Sequence, residues 1–254
     1  MSTWVLRGGV AVGLMSVAVV LIGTSSQTRP LSDGQHPRGP RQQGNQRRAV
    51  VLGATGATGR KVVLQLLESN DWHVTALVRK AGASDSGGPR SERLTEVVVG
   101  DMMELADASV FRGHDVLFNC IGTTRAGGHS PSGRRDTGGA KAFIDVEVGL
   151  TSTASRLAAE AGVKIVAVVT SEGASAELFK GATWIEYIHP LLYMRTMGEK
   201  EQAVLDAGFE RVSIFRPGLL HRQTGGFFEK LQDLLGFGSL KVETLAAAMI
   251  RDAE

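Results

Sequence analysis

Beyond residue 48 the chain alternates short runs that are apolar almost throughout with longer segments that are apolar on one side only. The short runs are Ala49–Gly53, Val74–Val78, Val97–Val99, Asp115–Ile121, Ile165–Val169 and Val212–Phe215, and each reads as a buried strand. Helical spacing fills the gaps. Thr58–Ser69 puts Val62, Val63, Leu66 and Leu67 on one face, and Phe143–Ala161 does so with Val148, Ala154, Leu157 and Ala158 before stopping at Gly162. Leu191–Ala207 is a further helix ended by Gly208, and Thr244–Arg251 is another. Strands with no polar alternation are covered on both faces. The order therefore predicts an α/β fold with a doubly wound, mostly parallel sheet. The Gly-rich polar stretch Arg125–Gly139 reads as an extended surface loop.

The first 48 residues follow no such pattern. Val10–Ile22 is apolar apart from Gly13 and Ser16, and Thr24–Arg48 is polar with no apolar period. The organisation expected is an apolar targeting or anchor segment over 1–23, a disordered basic linker over 24–48 and a single domain over 49–254. The apolar stretch from residue 4 to 22 falls between a signal-peptide core of roughly 7–15 residues and a spanning helix of about 20. Arginine and serine enrichment with a single acid suits mitochondrial targeting. Five arginines after the run against one before it suit a membrane anchor with the domain in the cytosol. An endoplasmic-reticulum anchor, a cleaved secretion signal and an extension without function are the other readings.

Charge sharpens this division. The net charge of the 254-residue chain is +2, yet residues 1–48 hold six arginines against one aspartate, and the remainder holds 22 basic and 25 acidic residues. Basicity thus belongs to the leader, and no nucleic-acid partner is expected. The single cysteine excludes an internal disulfide or a cysteine-based zinc cluster. His36, His73, His114, His129, His189 and His221 show no metal-ligand spacing, so no metal is expected. Arg134 and Arg135, in the Gly-rich loop, read as solvated or as a contact for a protein partner.

The chemistry concentrates in Gly53-Ala-Thr-Gly56-Ala-Thr-Gly59, between the first strand and the first helix. Gly53 permits a tight turn, Gly56 lets backbone approach a pyrophosphate, and Gly59 lets helix and strand pack closely. The free N–H groups and positive dipole end of the helix face the anion. This spacing in this context marks a Rossmann-like dinucleotide-binding domain. At the end of the second strand, where a carboxylate would take the ribose hydroxyls of NAD, stand Arg79 and Lys80. Cations there attract a 2′-phosphate, so NADP(H) is favoured over NAD(H).

The segments GATGATGR (53–60), VGDMMEL (99–105), FRGHDVLFNCIGTTRA (111–126), VVTSEGAS (168–175), YMRTMGEKE (193–201) and FRPGLL (215–220) resemble the short-chain dehydrogenase/reductase superfamily in its atypical branch. Within it they are similar to the Tat-interacting-protein oxidoreductases and their mitochondrial fungal relatives. The resemblance implies a cofactor site of Gly53, Thr55, Gly56, Ala57, Thr58, Gly59 and Arg79, with Asp101 and Met102 edging the adenine. It implies that Cys120, Ile121 and Gly122 line the cofactor and that Pro217 and Gly218 border the nicotinamide. Ser171 would orient a carbonyl and Tyr193 would be the general acid/base.

One departure bears on activity. The superfamily pairs its tyrosine with a lysine four residues later, whose charge lowers the phenol pKa from about 10. Met197 occupies that position. Lys200 is seven residues from Tyr193, about 10 Å along the helix axis, too far to replace the missing cation directly. Two functions follow from the same fold. One is an NADPH-dependent reductase of a small carbonyl or quinone-like substrate. The other is an NADP(H)-sensing binding or scaffold protein with weak or no turnover.

Overall fold

The computed structural model describes residues 18–23, 46–83, 91–99, 105–123, 137–182, 189–218, 220–221 and 240–254. Nine strands are described: β1 (Ala18–Gly23), β2 (Arg47–Leu52), β3 (Trp72–Val78), β4 (Leu94–Val98), β5 (Val116–Asn119), β6 (Ile165–Val169), β7 (Arg211–Arg216), β8 (Leu220–His221) and β9 (Leu240–Lys241). The helices are α1 (Ala57–Glu68), α2 (Thr137–Ile144), α3 (Thr151–Glu160), α4 (His189–Leu205) and α5 (Val242–Ala253). A 3₁₀ turn covers Ala108–Phe111, and a π-helical segment, Asp145–Leu150, joins α2 to α3.

The large sheet has the order β1-β7-β6-β5-β2-β3-β4. Its six strands β2 to β7 are mutually parallel, and β1 adds antiparallel at the β7 edge. The period-2 geometry of a strand sorts neighbouring residues onto opposite faces. Ala49 and Val51 of β2 join Val62, Val63 and Leu66 of α1 and Leu245, Ala246 and Met249 of α5. Val50 and Leu52 join the other layer, with Leu150, Ala154, Leu157 and Ala158 from the π segment and α3, and Val204 of α4. The strand order reverses beside β2, whose neighbours are β3 and β5. Such a switch point opens a crevice at the carboxyl ends of the strands.

Most element ends shift by one to three residues from expectation, and three differences have a structural reason. The helix expected over Phe143–Ala161 is part of a longer run that starts at Thr137 and contains the π segment, so Thr137–Gly139 are helical rather than loop. β2 opens at Arg47, two residues before the expected domain start, because Arg47 is tied down: its guanidinium donates to the carbonyls of Ala253 and Glu254 and lies 5.4 Å from the Trp72 ring centroid. The third concerns the leader. Ala18–Gly23 is an edge strand, where an anchor through residues 4–22 calls for a helix. Its sequence, AVVLIG, is rich in β-branched residues, and pairing with β7 satisfies backbone groups that an open sheet edge would leave bare. The rest of the leader up to residue 45 lies outside the described residues. Among the described residues no helix is long and apolar enough to cross a membrane.

Candidate functional site: a cleft at the sheet switch point

The β2–α1 turn is built as the glycine spacing predicts. Gly53 has φ +78°, and a Cβ there would lie 2.6 Å from the Cys120 carbonyl oxygen. At Gly59 a Cβ would lie 2.2 Å from the Gly53 carbonyl oxygen, so α1 seats directly on the turn. The Gly56 N–H donates to the Gly53 carbonyl at 2.9 Å, and Gly56 is the N-cap of α1 with no side-chain cap. The first turn holds no acidic residue. The N–H groups of Ala57, Thr58 and Gly59 have no acceptor within the helix, and the positive dipole end is not offset.

This turn forms one end of a cleft of about 380 Å³. Gly53, Thr55 and Gly56 line it with Arg79 at the end of β3, and Cys120, Ile121, Gly122 and Thr123 form the wall beyond β5. Val146 and Leu150 of the π segment close the side. Arg79 is exposed, as is Lys80 beside it. Burial pushes the Cys120 thiol up to about 12, with the nearby Lys200 ammonium opposing the shift. A thiol held neutral in this way packs and does not attack. Thr123 Oγ1 is buried with no hydrogen-bond partner.

Backbone bonds tie the segment after Ser171 to Pro217 and to α4. Glu172 N–H donates to the Pro217 carbonyl, and Ser175 N–H donates to the Met194 carbonyl, both at 3.0 Å. Ser171 Oγ is buried and unpartnered. The Tyr193 ring stacks on Phe143 with centroids 6.0 Å apart and planes 29° apart. Met197 is 2% exposed. On the next turn, Lys200 is 0% exposed and its Nζ donates to the Ile121 carbonyl at 2.6 Å and to Glu147 Oε2 at 3.0 Å.

A family described as NAD(P)H-binding matches residues 53–251, which include the turn, the cleft and α4. The chain belongs to this NAD(P)H-binding family. Two relatives refine the assignment. Rat protein HTATIP2 is 29% identical over 214 residues, which cover 80% of this chain and 79% of that protein. The mitochondrial protein fmp52 of Aspergillus clavatus is 31% identical over 177 residues, which cover 68% of this chain and 67% of that protein. A crystal structure of a short chain dehydrogenase/reductase family oxidoreductase from Burkholderia thailandensis superimposes with a TM-score of 0.56 at 18% identity. That superposition covers 83% of this chain and 86% of the other. The domain is thus an NAD(P)H-binding domain with a Rossmann-like fold.

Of the residues singled out from sequence, Gly53, Thr55, Gly56, Arg79, Cys120, Ile121 and Gly122 line one cleft of this NAD(P)H-binding domain. Ala57, Thr58 and Gly59 form the first turn of α1 at its end. Ser171, Tyr193, Pro217 and Gly218 lie outside the cleft lining, on the β6–β7 side. Asp101, Met102, Arg134 and Arg135 lie outside the described residues. Sequence reasoning missed Glu147, which accepts from Thr123 N–H at 2.6 Å, and the buried bonding of Lys200. It also missed Glu201, which accepts from Thr170 Oγ1 at 2.7 Å and takes both arms of the Arg216 guanidinium. A signal for the first pair exists. Lys200 shares the buried face of α4 with Tyr193 and Met197, and Glu147 interrupts an apolar stretch.

Proposed function

We propose that this protein binds NADP(H) in the cleft at the switch point and reduces a small carbonyl or quinone-like substrate. The observation that carries the reading is one cleft that combines an uncapped helix N-terminus on a glycine turn with a cation at the end of β3. The turn fits a pyrophosphate, since no side chain caps α1 at Gly56 and its first turn carries no acidic residue, and the unpartnered Thr123 hydroxyl fits a polar ligand. Residues 53, 55–59 and 120–122 would hold the dinucleotide, with Asp101 and Met102 at its adenine, Arg79 at a 2′-phosphate, and Pro217 and Gly218 at its nicotinamide.

A bound reduced dinucleotide would supply hydride chemistry for a substrate carbonyl. Ser171 Oγ, unpartnered in the protein, donates a hydrogen bond to the carbonyl oxygen. Tyr193 then gives its phenolic proton to the developing alkoxide. Met197 provides no charge to assist, so a slow chemical step is expected. That same observation favours the second reading, an NADP(H)-sensing binding protein with little turnover. The mitochondrial name of the fungal relative, with the arginine-rich leader, supports a mitochondrial location.

Titration of the full chain with NADPH and NADH tests the cofactor. Tight NADPH binding that Arg79→Ala weakens by roughly tenfold or more, with little change for NADH, is the expected result. No NADPH binding, or equal loss for both cofactors, refutes it. Turnover on an aldehyde and quinone panel that Tyr193→Phe abolishes would exclude the second reading.

A further inference from the structure

β5 ends at Asn119, and the chain then forms the cleft wall Ile121-Gly122-Thr123 without regular structure. Backbone polar groups leaving a sheet need other partners. Three buried side chains supply them here. Asn119 Oδ1 accepts from Ile121 N–H at 3.2 Å, Lys200 Nζ donates to the Ile121 carbonyl at 2.6 Å, and Glu147 Oε1 accepts from Thr123 N–H at 2.6 Å. Lys200 and Glu147 also bond each other, at 0% and 2% side-chain exposure. Between the two clamped residues Gly122 is exposed, and a Cβ built on it would meet nothing within 4 Å. The wall is thus a length of open backbone held from behind.

Stability alone does not account for the pair. A buried ion pair recovers its desolvation cost only with good geometry, and apolar residues of similar size often do as well or better. Glu147 also sits in the π-helical segment that itself lines the cleft through Val146 and Leu150. Such segments inside an α-helical run are frequent at functional sites.

We propose that Glu147 and Lys200 are positioning residues: together they hold the Ile121–Thr123 backbone in the shape that receives the dinucleotide. This rests on the cofactor reading above. It also gives Lys200 a task other than standing in for the lysine absent at 197. Its ammonium acts through the wall, by its bond to the Ile121 carbonyl.

Full-length variants test the assignment by NADPH fluorescence titration alongside thermal melting. In Lys200→Met with Glu147→Leu both charges go and no buried ion is stranded. Lys200→Met with Glu147→Gln differs only in keeping an acceptor for Thr123 N–H. The expected result is two folded proteins of similar melting temperature, the leucine form binding NADPH roughly tenfold more weakly than the parent and the glutamine form recovering part of that loss. A merely structural role predicts no split between them at equal stability. A folded leucine form that binds NADPH within about twofold of the parent overturns the proposal. Should neither double variant fold, Glu147→Asp keeps the charge opposite Lys200 but withdraws the arm from Thr123, and unchanged affinity in that variant overturns it equally. A parent chain that binds neither NADPH nor NADH refutes the cofactor reading and this inference with it, a result distinct from the others.

Discussion

The contact between Gly59 and Gly53 offers a sharp test of the turn. A methyl group at 59 would lie 2.2 Å from the Gly53 carbonyl oxygen, 2.8 Å from its carbon and 3.0 Å from Ala54 Cα. All three are backbone atoms, and the same oxygen already accepts from Gly56 N–H at 2.9 Å. An ordinary carbon–oxygen contact is about 3.3 Å or more, so helix and turn must separate by about 1 Å. Overpacking of this kind costs about 1–3 kcal/mol, and this contact belongs at the upper end because no flexible side chain can yield. Replacing glycine by alanine inside a helix returns at most about 1 kcal/mol. The net loss for Gly59→Ala is about 2 kcal/mol, a fall in melting temperature of roughly 4–8 °C for a domain of this size. Gly56→Ala is the control. Gly56 has φ −74° and ψ 169°, which any residue adopts, and its added Cβ lies 3.2 Å from the nearest atom. Its stability should change by no more than about 0.5 kcal/mol while NADPH affinity falls, because the methyl takes the space a pyrophosphate needs. Circular-dichroism melting and NADPH titration read both variants. A melting temperature within about 1 °C of the parent for Gly59→Ala would refute the packing argument. Unchanged NADPH affinity in Gly56→Ala would refute the position assigned to the pyrophosphate.

Other outcomes follow from the same geometry. Met197→Lys should raise NADPH oxidation on a carbonyl panel while lowering the melting temperature, since position 197 is 2% exposed; no gain in rate would point away from a merely disabled reductase. Cys120, its thiol pushed up to about 12, has roughly one thiolate in ten thousand at pH 8, so a thiol reagent should label it only after denaturation. Fast labelling of the native protein would contradict its burial. Burial holds the His114 imidazole below its ordinary 6.5, although its bond to the Phe111 carbonyl opposes this. The unfolded chain then takes up a proton near 6.5 that the folded chain refuses, so this contribution is intact above pH 6.5 and stability falls as pH drops below it. His114→Gln should flatten that acid-side decline in melting temperature, and an unchanged slope would show that other groups cause it.

Much of this arrangement is legible in the sequence. The strand at Ile165–Val169 falls where its five apolar residues place it, and α1 is displaced by a single residue at each end. Local patterns suffice there because a strand buried on both faces must be apolar throughout. The glycine turn is legible for the same reason: three spaced glycines after a strand leave few other conformations. Boundaries go astray where distant groups decide them. Arg47 joins β2 because the carbonyls of Ala253 and Glu254 receive it, more than 200 residues along the chain. The apolar segment that contains Ala18–Gly23 reads from sequence as a targeting or anchor segment, and it is the open edge of β7 that draws these six residues into a strand.

The sequence by itself determined the alternation of strand and helix, the parallel sheet and the glycine turn with a cation at the end of β3. These depend on side-chain periodicity and short-range backbone freedom. Only the tertiary structure decided what Glu147 and Lys200 do. Their separation of 53 residues hides a 3.0 Å contact. It forms because α4 and the π segment pack on the same face of the sheet, where a lone charge would be costly and a partner must be found.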